Sequence, residues 1–161
     1  MGIFEVRQYF ERNGIPEEIR EFSVSSATVE LAALALNVAP QRIAKTLSFE
    51  KDDGAILVLA AGDARIDNRK YRETFGCKAK MLSPEDALRL IGHPVGGVCP
   101  FALATPIKVY LDRSLCRFDV VYPAAGSPAS CVVITPERLL QVTGGEWVDV
   151  CKIADDSAAA V

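Results

Sequence analysis

Histidine is almost missing from this chain: His93 is the only one in 161 residues. Any serine–histidine–acid triad, or any cysteine–histidine pair, would have to use that residue. The five cysteines (Cys77, Cys99, Cys116, Cys131, Cys151) include no C-x-x-C pair, so with one histidine they do not spell a structural zinc site. G-x-G-x-x-G, G-x-x-x-x-G-K-[ST] and G-x-S-x-G are all absent, which removes the sequence grounds for dinucleotide binding, P-loop binding and a nucleophile elbow. No apolar run approaches the ~20 residues a membrane span needs. The first residues lack a basic stretch followed by an apolar one, and Val6 stands where N-myristoylation needs Ser or Thr. An odd number of cysteines without a secretory pattern reads as reduced thiols, so a cytoplasmic location is expected.

What is present is an ordinary soluble composition, half hydrophobic and about a quarter charged, long enough for one domain with a real core. The net charge of −3 argues against a broad basic face for nucleic acid. The charge is uneven, however. Residues 65–80 hold six cations (Arg65, Arg69, Lys70, Arg72, Lys78, Lys80) against Asp67 and Glu73. Such a patch fits a partner whose phosphates touch one face, and it fits a solvated helix face as well.

The periodicity predicts helices over 3–13, 29–36, 68–75, 84–91 and 136–142, with glycine or asparagine at most of their ends. In the second, Leu31, Ala32, Ala35 and Leu36 form the expected buried stripe. Strands are expected at 18–22, 45–50, 55–61, 78–82, 107–111, 118–122, 130–134 and 147–150. The clearest pairing is a hairpin around Lys51-Asp52-Asp53-Gly54, because Asp-Gly favours tight turns. Hairpin neighbours outnumber βαβ units, which predicts an α+β fold with a mixed, curved, barrel-like sheet surrounded by helices; a doubly wound sheet is the alternative. One domain over 1–153 is expected, followed by a tail over 154–161.

Two stretches could carry chemistry. Gly92-His93-Pro94-Val95-Gly96-Gly97-Val98-Cys99-Pro100-Phe101 is a glycine-rich loop able to turn backbone N–H groups towards a ligand. Ala44-Lys45-Thr46-Leu47 puts a lysine at the head of an apolar strand, where it could meet a phosphate or polarise an ester oxygen. Composition alone favours a plain connection for the loop and a solvated gatekeeper for the lysine. A Cys99–His93 nucleophilic pair remains a third, weaker possibility.

In order along the chain, Ala44-Lys45-Thr46-Leu47, Ala61-Gly62-Asp63, the loop from Gly92 to Phe101, Val109-Tyr110-Leu111-Asp112 and Ala125-Gly126-Ser127-Pro128 resemble the YbaK/ProX family. Its members are free-standing relatives of the editing domain in bacterial prolyl-tRNA synthetases. The resemblance implies a barrel-like editing fold and hydrolysis of the ester joining a wrong amino acid to tRNA, commonly tRNA for proline. It implies Lys45 as the catalytic residue. Thr46, Gly96, Gly97, Val98, Pro100, Phe101, Asp112, Gly126 and Ser127 are the substrate-binding residues it implies. The nucleophile it implies is a water or a group on the substrate, with no cofactor and no metal. The partners implied are the acceptor end of an aminoacyl-tRNA and a prolyl-tRNA synthetase, with neither membrane nor DNA. A non-catalytic module binding aminoacyl-tRNA or a synthetase is the alternative. The chain departs from the family at Ile91 and Ala102, where Thr and Gly are common. Residues 127–131 also lack the acid or histidine with which some subfamilies select the amino acid.

Overall fold

Side-chain caps set most helix starts. Thr28, Asp67, Ser83 and Thr135 each accept a hydrogen bond from a backbone N–H in the first turn, opening α2 (Val29–Leu36), α3 (Asn68–Phe75), α4 (Pro84–Leu90) and α5 (Pro136–Thr143). Each such cap is worth about 1 kcal/mol. Residues in the left-handed region (Asn37, Gly76 and Gly144) end three of them. The first helix, α1 (Ile3–Arg12), lays Val6 and Phe10 into the core. The computed structural model describes residues 2–94 and 96–153; the expected tail over 154–161 lies outside them.

Strands β2 (Ile43–Lys51) and β3 (Gly54–Ala61) form the expected hairpin, with Lys51 opposite Gly54. The loop itself is Asp52-Asp53, both at positive φ, while Gly54 already belongs to β3. Aspartate tolerates this left-handed geometry, which the turn needs to match the strand twist. The main sheet adds β5 (Lys108–Asp112), β6 (Tyr122–Pro123) and β8 (Glu146–Val148) in the order β6-β2-β3-β5-β8. Only β2–β3 is antiparallel; β2–β6, β3–β5 and β5–β8 are parallel. The sheet curls into a half-barrel with helices around it, so the mixed α+β fold holds and the doubly wound alternative does not. Two antiparallel ribbons complete the fold: β1 (Ile19–Glu21) with β7 (Ser130–Val132), and β4 (Ala64–Ile66) with β9 (Cys151–Ile153).

The centre is β3, whose residues from Ile56 to Ala61 are all buried, as a strand covered on both faces should be. Tyr71 of α3 sits fully buried between Phe49 and Phe75, at ring distances of 5.1 and 4.7 Å. Phe10 meets Phe101 edge-on at 5.0 Å, which locks α1 over the loop that carries Phe101.

Three expectations are corrected. In α2 the buried residues are Ala32 and Ala33, while Leu31 is 41% and Leu34 77% exposed. The face that meets Ile43 is Val29, Ala32, Ala33 and Leu36, an i, i+3, i+4, i+7 stripe that turns Leu31 away from it. Residues 78–82 form a single bridge, Met81 to Phe49, in place of a strand. Residues 118–122 form no strand of their own: Val121 makes a single bridge to Ile134, and Tyr122 opens β6. Strands β4 and β9, three residues each, had no readable period.

Candidate functional site

The outer edge of β2 is covered at its two ends and open between them. Ile43 and Ala44 pair with β6. Further on, the Leu82 amide donates to the Ser48 carbonyl (3.1 Å) and the Glu50 amide to the Lys80 carbonyl (2.8 Å). Among the described residues no strand runs beside Lys45, Thr46 and Leu47 on that edge. A cleft of about 280 Å³ lies there, walled by the start of α2, the start of α4, Gly96 and Val98, and Ser130 and Cys131. This lies just below the usual range for ligand pockets, about 300–1,000 Å³. It has room for an aminoacyl group and part of a sugar, with the rest of a polymeric substrate outside.

Lys45 lines this cleft, half-buried, and its Nζ donates to the Ala64 carbonyl of β4. Burial lowers its pKa from the ordinary lysine value, partly offset by the nearby Cys151 and Asp63. An ammonium has three N–H donors, so two remain for a ligand after the bond to Ala64. Thr46, also in the lining, keeps its Oγ1 buried without a hydrogen-bond partner among the described residues. Such a hydroxyl costs stability unless something pairs with it. Ser48, two residues on and therefore on the same face of β2 as Thr46, joins the lining. Sequence reasoning did not single out Ser48, and it noted Ser130 and Cys131 only as part of the 127–131 segment that lacks an acid or histidine. The period-2 spacing from Thr46 was a usable signal for Ser48, whereas the place of Ser130 and Cys131 in the cleft wall comes through the fold. Lys45 is the one charged side chain among the described lining residues. Burial pushes the Cys131 thiol up to about 12, so it stays neutral.

The glycine-rich loop contributes by fit. Gly96 holds φ 87°, and a Cβ there would stand 2.8 Å from the Ala27 Cβ. Gly97 is packed against the 126–127 backbone, where a Cβ would come within 2.6 Å of the Ser127 nitrogen, and its own N–H is spent on the Pro94 carbonyl (2.9 Å). The two glycines therefore let three segments close over one another: residues 25–28, 96–98 and 126–128. The Ser26 Oγ and N–H both donate to the Pro128 carbonyl, which ties the first segment to the third. Ser127 and Ser130 share a 2.7 Å hydroxyl–hydroxyl hydrogen bond. The structure thus brings Lys45, Thr46, Gly96 and Val98 to the cleft and places Gly97, Gly126 and Ser127 just behind its wall.

Three expected site residues lie elsewhere. Phe101 is fully buried against Phe10, and Pro100 is buried beside Ala102, which holds a left-handed φ of 51° where glycine is common in the resembled family. Asp112 is 1% exposed, and its carboxylate accepts from the Ser114 (2.9 Å) and Val150 (2.8 Å) amides.

His93 and Cys99 do not form a catalytic pair. Both converge on the Phe101 carbonyl: the His93 Nε2–H donates to it at 2.6 Å and the Cys99 Sγ lies 3.7 Å from it. Cys99 is fully buried, and burial pushes its thiol up to about 12. Burial also lowers the His93 pKa, against the opposing pull of the Phe101 carbonyl and Glu5, and its Nδ1 has no partner among the described residues. The unfolded chain therefore binds the extra proton more readily. This contribution to stability is complete above the unfolded pKa, about 6.5, and is lost as pH falls below it. The melting temperature of the wild type should fall more between pH 7.5 and 5 than that of His93→Gln. Parallel curves would show that His93 does not titrate in this way.

The basic residues of 65–80 are dispersed. Lys70 pairs with Asp149, Lys80 with Glu50 and Arg69 with Glu73. No helix of the described residues is long and apolar enough to cross a membrane.

With this geometry in place, the chain can be set beside known proteins. The aminoacyl-tRNA editing domain family matches residues 24–142. The uncharacterized protein YwhH of Bacillus subtilis (strain 168) is 50% identical over 154 residues, covering 94% of this chain and 98% of YwhH. The proline–tRNA ligase of Thermosipho melanesiensis is 32% identical over 126 residues, 76% of this chain but only 22% of the ligase. The crystal structure of a candidate trans-editing enzyme for prolyl tRNA synthetase superposes with a TM-score of 0.86 at 31% identity, covering 93% of this chain and 96% of that one.

Proposed function

The chain belongs to the aminoacyl-tRNA editing domain family, and we propose that it is a trans-editing hydrolase that deacylates mischarged aminoacyl-tRNA, with tRNA for proline the first candidate. The observation that carries this reading is the meeting of Lys45, Thr46, Gly96 and Val98 at one small cleft beside an unpaired strand edge. In the proposed reaction a water adds to the ester carbonyl carbon. The bond from that carbon to the ribose oxygen breaks, the ribose hydroxyl regains a proton, and the amino acid leaves as a carboxylate. Lys45 offers charged donors to the oxygen that becomes negative, or to the adjacent terminal phosphate. The open backbone of β2 and the Thr46 hydroxyl orient the aminoacyl group. The size of the cleft and its lack of any described acidic side chain favour a small, uncharged amino acid.

The test is release of amino acid from a panel of mischarged tRNAs by the wild-type protein; no release from any of them overturns the reading. Cys99 has no part in this mechanism, so Cys99→Ala should hydrolyse the preferred substrate within a few-fold of wild type. A collapse of kcat with Cys99→Ala in a folded protein would instead revive the thiol mechanism.

A second reading is favoured by one observation: no histidine or carboxylate is among the described residues lining the cleft. A module that binds aminoacyl-tRNA or a prolyl-tRNA synthetase without cleaving needs no general base. Such a module would bind tRNA in the same panel and release nothing.

A further inference from the structure

The β4–β9 ribbon contains a pairing that folding alone does not favour. Arg65 of β4 stands directly opposite Lys152 of β9, and both are exposed. Residues opposed in this way have Cβ atoms about 4.5–5.5 Å apart, and like charges there are destabilising. Neither side chain has an ion pair among the described residues. Beside Lys152 lies a groove of about 650 Å³, also lined by Lys70, Arg113 and Arg117. Its acids are mostly occupied. Asp112 is held by two backbone amides, Asp149 by Lys70 at 3.1 Å, and Asp63 at the groove's side by Arg117 at 2.6 Å. Arg113, 71% exposed, reaches Asp149 only at 3.9 Å. Arg65 and Lys152 thus lack an ion pair among the described residues, Asp67 acting on Lys152 only across space, and Arg113 has one long contact.

The ribbon also touches the candidate site. Ala64, whose carbonyl takes the Lys45 ammonium, immediately precedes Arg65, and Cys151, which lines the groove, precedes Lys152. A strand of nucleic acid that ends at Lys45 would meet these cations next. We propose that the β4–β9 ribbon and the adjoining groove form a phosphate-binding track for the acceptor strand of tRNA, with Arg65 and Lys152 as its nearest contacts to the reacting end. For its ligand this rests on the deacylase reading. It replaces the basic 65–80 segment by a surface assembled from residues far apart in the chain, and most α3 cations fall outside it.

The experiment is fluorescence-anisotropy binding of uncharged tRNA across a salt series, comparing wild type, Arg65→Ala/Lys152→Ala and Arg69→Ala/Arg72→Ala. The ribbon variant should bind on the order of tenfold more weakly at low salt, and its log–log salt slope should be shallower by about 2. The α3 variant should stay near wild type. Relief of the like-charge pair should leave the ribbon variant's melting temperature equal to or above wild type, which shows that a binding loss is not unfolding. Equal affinity and slope in the ribbon variant overturns the proposal. So does an equal loss in the α3 variant, which would mark diffuse attraction, or the absence of any binding by the wild type. Because the probe is uncharged tRNA, a wild type that binds in this pattern but hydrolyses nothing counts against the deacylase reading alone.

Discussion

Replacing Lys45 with alanine is expected to lower kcat/KM on the preferred mischarged tRNA by about 10²–10³-fold, the scale on which a preorganised donor to a developing oxyanion acts. The melting temperature should move by only a few degrees. Among the described residues the Lys45 side chain makes one hydrogen bond, to the Ala64 carbonyl, and it holds its charge in a half-buried position where burial already disfavours it. Losing one such charge-assisted bond costs about 1.5–3 kcal/mol, and removing a partly desolvated charge gives some of that back. Activity and stability should therefore separate cleanly. Lys45→Arg is not expected to rescue. A planar guanidinium cannot place a compact three-donor head between the Ala64 carbonyl and a substrate oxygen, although it keeps the charge. Single-turnover hydrolysis together with thermal unfolding measures both quantities. A Lys45→Ala protein with wild-type turnover would remove Lys45 from the chemistry and with it the proposed mechanism.

How much of this was legible in the sequence depends on the kind of signal each feature has. Local signals read well: the helices over 29–36 and 68–75 end at Asn37 and Gly76 as expected, and the β2–β3 hairpin lies where its turn residues place it. Signals that depend on what an element packs against did not. Leu31 lies outside the core because α2 meets Ile43 through Val29, Ala32, Ala33 and Leu36, and the three-residue β4 and β9 exist only because each finds the other across more than eighty residues. The candidate site divides in the same way. Lys45 and Thr46 share a strand, so their nearness was readable. The approach of Gly96 and Val98 to them was an expectation that only the fold realises, through the packing of Gly97 on the 126–127 backbone. The glycines were read as sources of free N–H donors, yet for Gly97 the geometry gives a steric reason: its N–H is occupied and its missing side chain is what permits contact. Phe101 belongs to the same motif string as Gly96 but faces the core, because a loop that wraps a cleft must also anchor itself.

Asp112 is the sharpest case of a site residue whose geometry argues for another role, and its replacement should show this. The carboxylate lies at the end of β5, 1% exposed, where it closes the 3-10 turn through the Ser114 amide and holds the start of β9 through the Val150 amide. Asp112→Ala leaves two buried N–H groups without acceptors, at about 1–3 kcal/mol each. For a chain of this size each kcal/mol is worth about 2–4 °C, so a fall on the order of 10 °C is expected. Asp112→Asn keeps one acceptor oxygen and should fall by less. Because the Val150 contact positions Cys151 and Lys152, loosening it should also weaken tRNA binding before it alters the cleft around Lys45. Thermal unfolding of the two variants, with KM measured well below their transitions, separates the roles. An unchanged melting temperature with a raised KM would return Asp112 to the substrate. A large fall graded from Asn to Ala assigns it to the joint between the half-barrel and the β4–β9 ribbon.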